Sequence, residues 1–187
     1  MNLPDKQQVL DLVNKYATDT KDHLLQVWAI MEYFAIKLWE DKDYWWTVWV
    51  LHDIDWDYVN KDWKKHLQGD LDKIVSEINL SQEIIDDIKS HWYNFWLSDI
   101  EPNTLVRRYL SSVDELSWFM WAYFRMIPSD NPIDIKPKSI NKKLKDKWFA
   151  SGVDRDEARN CVTMLEISIQ EFVEDIKIAL SEAWFRK

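Results

Sequence analysis

Glycine is almost missing from this chain. Two residues in 187 are glycine, about 1% where roughly 7% is usual. Cysteine is down to one, Cys161, which excludes an internal disulfide and suits a reducing compartment. An excess of positive charge is absent too. Lys and Arg number 24 against 33 Asp and Glu, a formal net charge of −9. That argues against general affinity for nucleic acid or an anionic membrane, because both need a basic face. No apolar run approaches the roughly 20 residues that a membrane-spanning helix needs. The start, Met1-Asn2-Leu3-Pro4-Asp5-Lys6, carries no basic, apolar leader. The expectation is a soluble cytoplasmic protein. Sustained period-two alternation is lacking as well, so strands are not expected.

Tryptophan is present in excess, at 13 residues. Glycine and tryptophan together make about what the two make in an ordinary chain. The positions suggest a swap. Trp39 follows the helical stretch Ile36-Lys37-Leu38 and precedes Glu40-Asp41, where a helix C-terminal glycine belongs. Trp92 and Trp96 bracket a loop-like segment, and Trp148 follows Lys145-Asp146-Lys147 at a helix end. The expectation is that many of these codons are UGA, which the source reads as glycine, a reassignment made by some bacterial lineages. Trp39, Trp46, Trp49, Trp92, Trp96, Trp118 and Trp148 are the positions concerned. The alternative is a protein rich in tryptophan, with a stacking surface for single strands. The acidic balance, with aromatics not interleaved with Lys or Arg, speaks against it.

Nearly everything else reads as helix. Residues 5–16 place Val9, Leu10, Leu12, Val13 and Tyr16 on one side at helical spacing. Residues 20–38 form a longer helix, capped by Thr20 or Asp22, with Leu24, Val27, Met31, Phe34, Ala35 and Leu38 as its buried stripe. Residues 41–52 form a third helix, apolar all round from Tyr44 to Leu51 and so expected at the centre. A polar connection over 55–65 precedes helices at 67–78 and 81–91, the second capped by Ser81. Pro102 opens a helix over about 103–126, which turns Leu105, Val106, Tyr109, Leu110, Val113, Leu116 and Met120 inward. A loop at 128–137 holds Pro128, Pro132 and Pro137. Helices at 138–148, 154–165 and 168–185 follow, the last two opened by Asp154 and Ser168.

Four histidines, His23, His52, His66 and His91, fall at or near predicted helix ends. His52 is followed directly by Asp53. An adjacent His-Asp pair gives an imidazole and a carboxylate, ligands of different hardness for a divalent ion. Asp114 lies on an apolar helix face, where an unpaired carboxylate is costly. Taken singly, a histidine at a helix end is usually solvated or capping. His66, between Lys64-Lys65 and Gln68-Gly69, is expected in an exposed loop. Tyr93, Phe95 and Tyr123 read as packing, and a lysine run on a helix is more often its wet side.

The order His, His-Asp, His, His, Asp resembles the HD-domain superfamily of metal-dependent phosphohydrolases, and more closely its small HD/HDIG-type predicted hydrolases. The segment His23-Leu24-Leu25-Gln26-Val27-Trp28-Ala29-Ile30-Met31 is similar to the first histidine block. Trp45-Trp46-Thr47-Val48-Trp49-Val50-Leu51-His52-Asp53-Ile54-Asp55 is similar to Trp-Gly-x-x-Gly-x-Leu-His-Asp-Ile-Asp. Asp114-Glu115-Leu116-Ser117-Trp118 resembles Asp-Glu-Leu-x-Gly, and residues 138–153 resemble a lysine-rich final block. Tryptophan stands where glycine is expected at 46, 49 and 118. Real indoles at 46 and 49 would be expected to overpack the third helix.

The resemblance, over roughly residues 5–165, implies an all-α, single-domain helical bundle; outside it, 166–187 are expected as a C-terminal helix packed on the same domain. It implies one or two divalent ions (Mn, Fe, Zn, Ni, Co or Mg). His23, His52, Asp53 and Asp114 would hold the first; Asp53, His66 and His91 would form the second site. Asp53 and Asp57 are the expected catalytic carboxylates, and Asp55 or Asp57 could orient a ligand histidine or the water. Lys138, Lys142 and Lys145 are expected to contact the phosphate of a small phosphorylated substrate, with no nucleic acid or membrane partner. The implied reaction is phosphate-ester hydrolysis. The rival is a metal-stabilised sensory or binding module without turnover.

Overall fold

Short capping side chains start four of the helices, and they do so by accepting the N–H groups that a first turn leaves orphaned. A computed structural model describes residues 3–95, 97–129 and 131–184. Asp5 accepts from the N–H of Gln7 at 2.8 Å and so opens α1 (Lys6–Tyr16). Asp41 does the same for Asp43 and Tyr44 and opens α3 (Lys42–Val50). Asp154 accepts from the N–H of Asp156 ahead of α8 (Arg155–Met164). Ser168 and Glu171 cap each other reciprocally at the start of α9 (Ile169–Trp184). The remaining helices are α2 (Lys21–Leu38), α4 (Gly69–Ser76), α5 (Gln82–Lys89), α6 (Leu105–Phe124) and α7 (Pro137–Lys143). Short 3-10 turns cover Ser90–Phe95 and Pro132–Asp134. Among the described residues there is no strand, so the expected all-α class holds.

By internal contacts the chain divides into two units, Met1–Leu110 and Ser111–Lys187. In the first, α3 packs against α2, α1 and α5. Residues 45–50 are all buried, as an all-round apolar helix should be. Val9, Leu12 and Val13 of α1, Leu24, Val27, Met31 and Phe34 of α2, and Ile84, Ile85 and Ile88 of α5 complete this core. Each such side chain is worth about 1.5–3 kcal/mol on burial. In the second unit α9 packs against α7, α8 and the Pro132–Asp134 turn, over Ile140, Val162, Phe172, Val173 and Ile176.

Several sequence expectations are corrected. The third helix ends at Val50 rather than 52, so His52 and Asp53 sit in the turn beyond it. Thr20 precedes α2, but its hydroxyl makes no cap bond; it donates to Asp57 instead. Ser81 holds the N-cap position of α5 without a capping side-chain bond. Leu105 is exposed, because it sits at the first position of α6, ahead of the buried Val106 and Tyr109. Pro137 begins α7 rather than closing a loop, as its fixed φ and missing N–H allow.

The tryptophans divide. Trp39 ends α2 in the left-handed region, at φ 61° and ψ 32°. Its N–H donates to the Ile36 carbonyl at 3.3 Å, and the Glu40 N–H reaches back to Ala35 at 2.9 Å. That is a Schellman ending, whose left-handed residue is usually glycine. Trp39 is 96% exposed. Trp148 is exposed and Trp118 partly so. Trp46 and Trp49 are both buried in the core, as their place in the third helix implies, and the Trp49 indole N–H is buried there with no hydrogen-bond partner. Trp92 has negative φ, so its backbone does not call for glycine. Trp96 lies outside the described residues.

Trp39→Gly should raise stability by about 1 kcal/mol, since a left-handed conformation costs a residue with a Cβ about 1–2 kcal/mol. Denaturant unfolding of the two proteins checks it, and UGG at codon 39 would remove the reassignment as its explanation.

Candidate metal centre

Two of the histidines are aimed by the helices they terminate. The last carbonyls of an α-helix have no partner within it. His52 folds back so that its Nδ1–H donates to the Trp49 carbonyl at 2.6 Å. His91 does the same to the Ile88 carbonyl, also at 2.6 Å. A carbonyl only accepts, so Nδ1 carries the proton in both rings and Nε2 is left to face inward. His66 is aimed by a carboxylate: its Nδ1 donates to Asp55 Oδ1 at 2.8 Å. The other Asp55 oxygen accepts the N–H of Leu67 at 2.8 Å, a residue held at φ 59°. Asp55 and His66 are both fully buried. His23 comes from the first turn of α2 and is likewise buried.

The four rings meet around Asp53. Its Oδ2 lies 3.8 Å from His23 Nε2 and 3.6 Å from His52 Nε2. Its Oδ1 lies 3.2 Å from His66 Nε2 and 3.5 Å from His91 Nε2. The Nε2 atoms of His23 and His52 face each other at 3.3 Å. One carboxylate thus presents each oxygen to a different histidine pair. Donor atoms of His23, His52 and Asp53 lie within 4.8 Å of one another, as do those of Asp53, His66 and His91.

These residues fit a divalent cation. Two ligands each about 2.1 Å from a tetrahedral ion lie about 3.4 Å apart, within the range of separations seen here. With the rings neutral, the buried Nε2 atoms of His66 and His91 make no hydrogen bond and face only the Asp53 carboxylate, itself an acceptor, a state that costs free energy unless a proton or a cation comes between them. Imidazole nitrogen with carboxylate oxygen suits Zn, Fe, Mn, Co or Ni.

Charge follows from the same packing. Burial opposes ionisation of Asp53, but His52, His66 and His91 hold its carboxyl well below the usual range. Burial lowers the pKa of His66, yet the Asp53 and Asp55 carboxylates outweigh it and raise the ring to about 9.

The other expected residues stand as follows. Asp57 spends its carboxylate on the chain before α2, accepting from the N–H of Asp19 at 2.7 Å, the N–H of Thr20 at 2.9 Å and the Thr20 hydroxyl at 2.8 Å. Burial raises its pKa, and these bonds bring it below the usual range. Asp114 is half-buried on α6, past Leu110 and within the second unit. Lys138, Lys142 and Lys145 are exposed in that unit.

Sequence reasoning missed one polar cluster. Asp87 on α5 is buried and accepts from the Tyr44 hydroxyl at 2.5 Å and Arg107 Nε at 2.6 Å. Burial and Asp87 keep the Tyr44 phenol above its usual range and protonated. The three side chains line a cavity of about 220 Å³, which none of the four histidines nor Asp53 lines. An acid beside Ile84, Ile85 and Ile88 was the signal available in the sequence.

No protein-family model, curated protein or solved structure matches the chain.

Two outcomes follow. In the metal-free protein His66 is charged when folded, with its pKa raised above 6.5. Its stabilising effect is complete below about pH 6.5 and lost as the pH rises through about 9. Melting temperatures after chelation should fall across that window, and His66→Gln should flatten the fall. Asp55→Asn should weaken metal binding by about 10–100-fold, the usual effect of losing a carboxylate behind a ligand histidine; calorimetric titration with Mn²⁺ measures it.

Proposed function

We propose that this protein is an HD-type, divalent-metal-dependent phosphohydrolase acting on a small phosphate ester. The supporting observation is Asp53, whose two oxygens each face a separate pair of inward-turned imidazole nitrogens. That is the arrangement expected of a carboxylate shared between two ions. His23 and His52 with one Asp53 oxygen would hold the first ion; His66 and His91 with the other would hold the second. The resemblance implies Asp114 as a further ligand.

When bound, a divalent ion lowers the pKa of a coordinated water toward 7 and supplies a nucleophile at neutral pH, and a pair of ions about 3.5–4 Å apart also offsets phosphate charge. The protein's own part is orientation. Trp49 and Ile88 carbonyls and the Asp55 carboxylate fix three imidazoles with Nε2 inward. Asp53 stays ionised over the working pH range. Lys138, Lys142 and Lys145, exposed on the second unit, are the cations the resemblance offers to a phosphate.

A second reading is a metal-stabilised module without turnover. Its support is burial: His52 and His66 are fully buried, and Asp53 is 7% exposed. Structural metal sites are closed, whereas catalytic ones keep an open position.

The test uses protein with glycine at all seven positions (Trp39→Gly, Trp46→Gly, Trp49→Gly, Trp92→Gly, Trp96→Gly, Trp118→Gly, Trp148→Gly) beside the chain as written. Each is loaded with Mn²⁺, Co²⁺ or Zn²⁺ and assayed on phosphate monoesters, diesters and nucleotides. Turnover is expected. Asp53→Asn should abolish it and weaken both ions by more than the roughly 10–100-fold typical of an outer partner. A folded, loaded protein inert to every ester favours the module, and failure to bind any divalent ion overturns both readings.

A further inference from the structure

We propose that Asp57 is a positioning residue that sets His23 against His52, and not a catalytic group. The inference rests on the metal-centre reading above.

His23 and His52 come from different segments. His23 lies in the first turn of α2, while His52 and Asp53 lie in the turn after α3. Their Nε2 atoms must be held about one ion apart, and 3.3 Å separates them. Asp57 is four residues beyond Asp53, in the same run of turns. That run is internally fixed: the N–H of Trp56 donates to the Asp53 carbonyl at 3.0 Å and that of Val59 to Asp55 at 2.9 Å. From it, Asp57 reaches across to the chain entering α2. Oδ2 accepts the N–H groups of Asp19 and Thr20, and Oδ1 accepts the Thr20 hydroxyl.

Three features single out this contact. Thr20 occupies the cap position of α2 yet gives its hydroxyl to Asp57 rather than to its own helix. The carboxylate therefore ties down the two residues that lead into α2, Asp19 and Thr20, from a segment 37 residues away from Thr20. The acceptor is an anion at a helix N-terminus, where the helix dipole favours it, and hydrogen bonds to an ionised acceptor are about twice as strong as neutral ones. Thr20 is buried, so the bonds are partly shielded from water. A second tie between the same segments, Lys61 to Asp19 at 3.0 Å, is exposed and adds little.

With both oxygens occupied, Asp57 has its accepting capacity directed at backbone and hydroxyl donors, away from proton transfer. Its removal should release the start of α2, and with it the angle of His23. The ligands of the other histidine pair, His66 and His91, have their own anchors in Asp55 and the Ile88 carbonyl. Damage should therefore be confined to one of the two ion sites.

The experiment compares the parent chain with Asp57→Ala and Asp57→Asn. Mn²⁺ and Co²⁺ are titrated calorimetrically, and circular dichroism reports the fold. The parent is expected to take two ions. Asp57→Ala should lose about 10–100-fold in affinity at one of them and keep the other, with helix content unchanged. Asp57→Asn, which retains one accepting oxygen, should recover part of the loss. Equal affinities in parent and Asp57→Ala, or an equal fall at both sites, would overturn the proposal. The metal-free readout is the nuclear Overhauser contact between the His23 and His52 ring protons, whose centroids lie 5.2 Å apart. It should weaken in Asp57→Ala while the His66–His91 contact, at 5.6 Å, persists. A parent that binds no ion would refute the metal-centre reading. The positioning role would then be decided by the ring contacts alone, and an unchanged His23–His52 contact would end it.

Discussion

A single buried carboxylate carries this arrangement. Asp53 is ionised in a place where an isolated charge would be costly, and burial of an unpaired carboxylate costs several kcal/mol even after relaxation. Four imidazole nitrogens at 3.2–3.8 Å surround it. In the metal-free protein a proton on His66 meets part of that demand. A divalent cation meets more of it, since each inward lone pair and each carboxylate oxygen then has a positive partner. Proton and metal therefore compete for the same atoms, as they do at any site built from histidine and carboxylate.

The architecture of the first unit serves that cluster. Helices α2, α3 and α5 are packed by apolar faces, and their ends deliver the rings. Helix ends are suited to this because they carry unmet backbone groups. The carbonyls of Trp49 and Ile88 need donors, and His52 and His91 supply them while turning Nε2 inward. The same hydrogen bond stabilises the helix end and fixes the tautomer. Asp55 and Asp57, two residues apart, face opposite tasks: one holds His66 and the backbone of Leu67, the other holds the start of α2. The connection between Leu51 and Gln68 contains left-handed residues at Asn60, Lys61 and Leu67. Asparagine tolerates that region, but Lys61 and Leu67 do not favour it, so the surrounding bonds hold them there.

Much of the helix pattern was legible because apolar spacing and capping residues act locally. Asp5, Asp41, Asp154 and Ser168 each start a helix where the sequence places one. Thr20 and Ser81 misled for the same reason, since a cap-type residue can be drawn to another partner once the chain folds. His66 misled more strongly. Its neighbours Lys64, Lys65 and Gln68 are exposed, yet His66 is fully buried. A loop can alternate between water and core from one residue to the next, and no periodicity records which side chain turns in. Asp87 was overlooked because its partners Tyr44 and Arg107 are 43 and 20 residues away.

The sequence by itself determined the all-helical class, the acidic character and the inventory of ligands, because each follows from residue type and short-range spacing. It also marked Trp39, where a helix had to stop and a left-handed residue had to follow. Only the tertiary structure decided that His23, His52, His66 and His91 share one carboxylate, and which of its oxygens each pair faces. It alone showed that Asp57 is bonded to Asp19 and Thr20, ahead of α2. Those facts depend on distances between segments far apart in the chain. Such distances are set by how whole helices pack, which no local run of residues encodes.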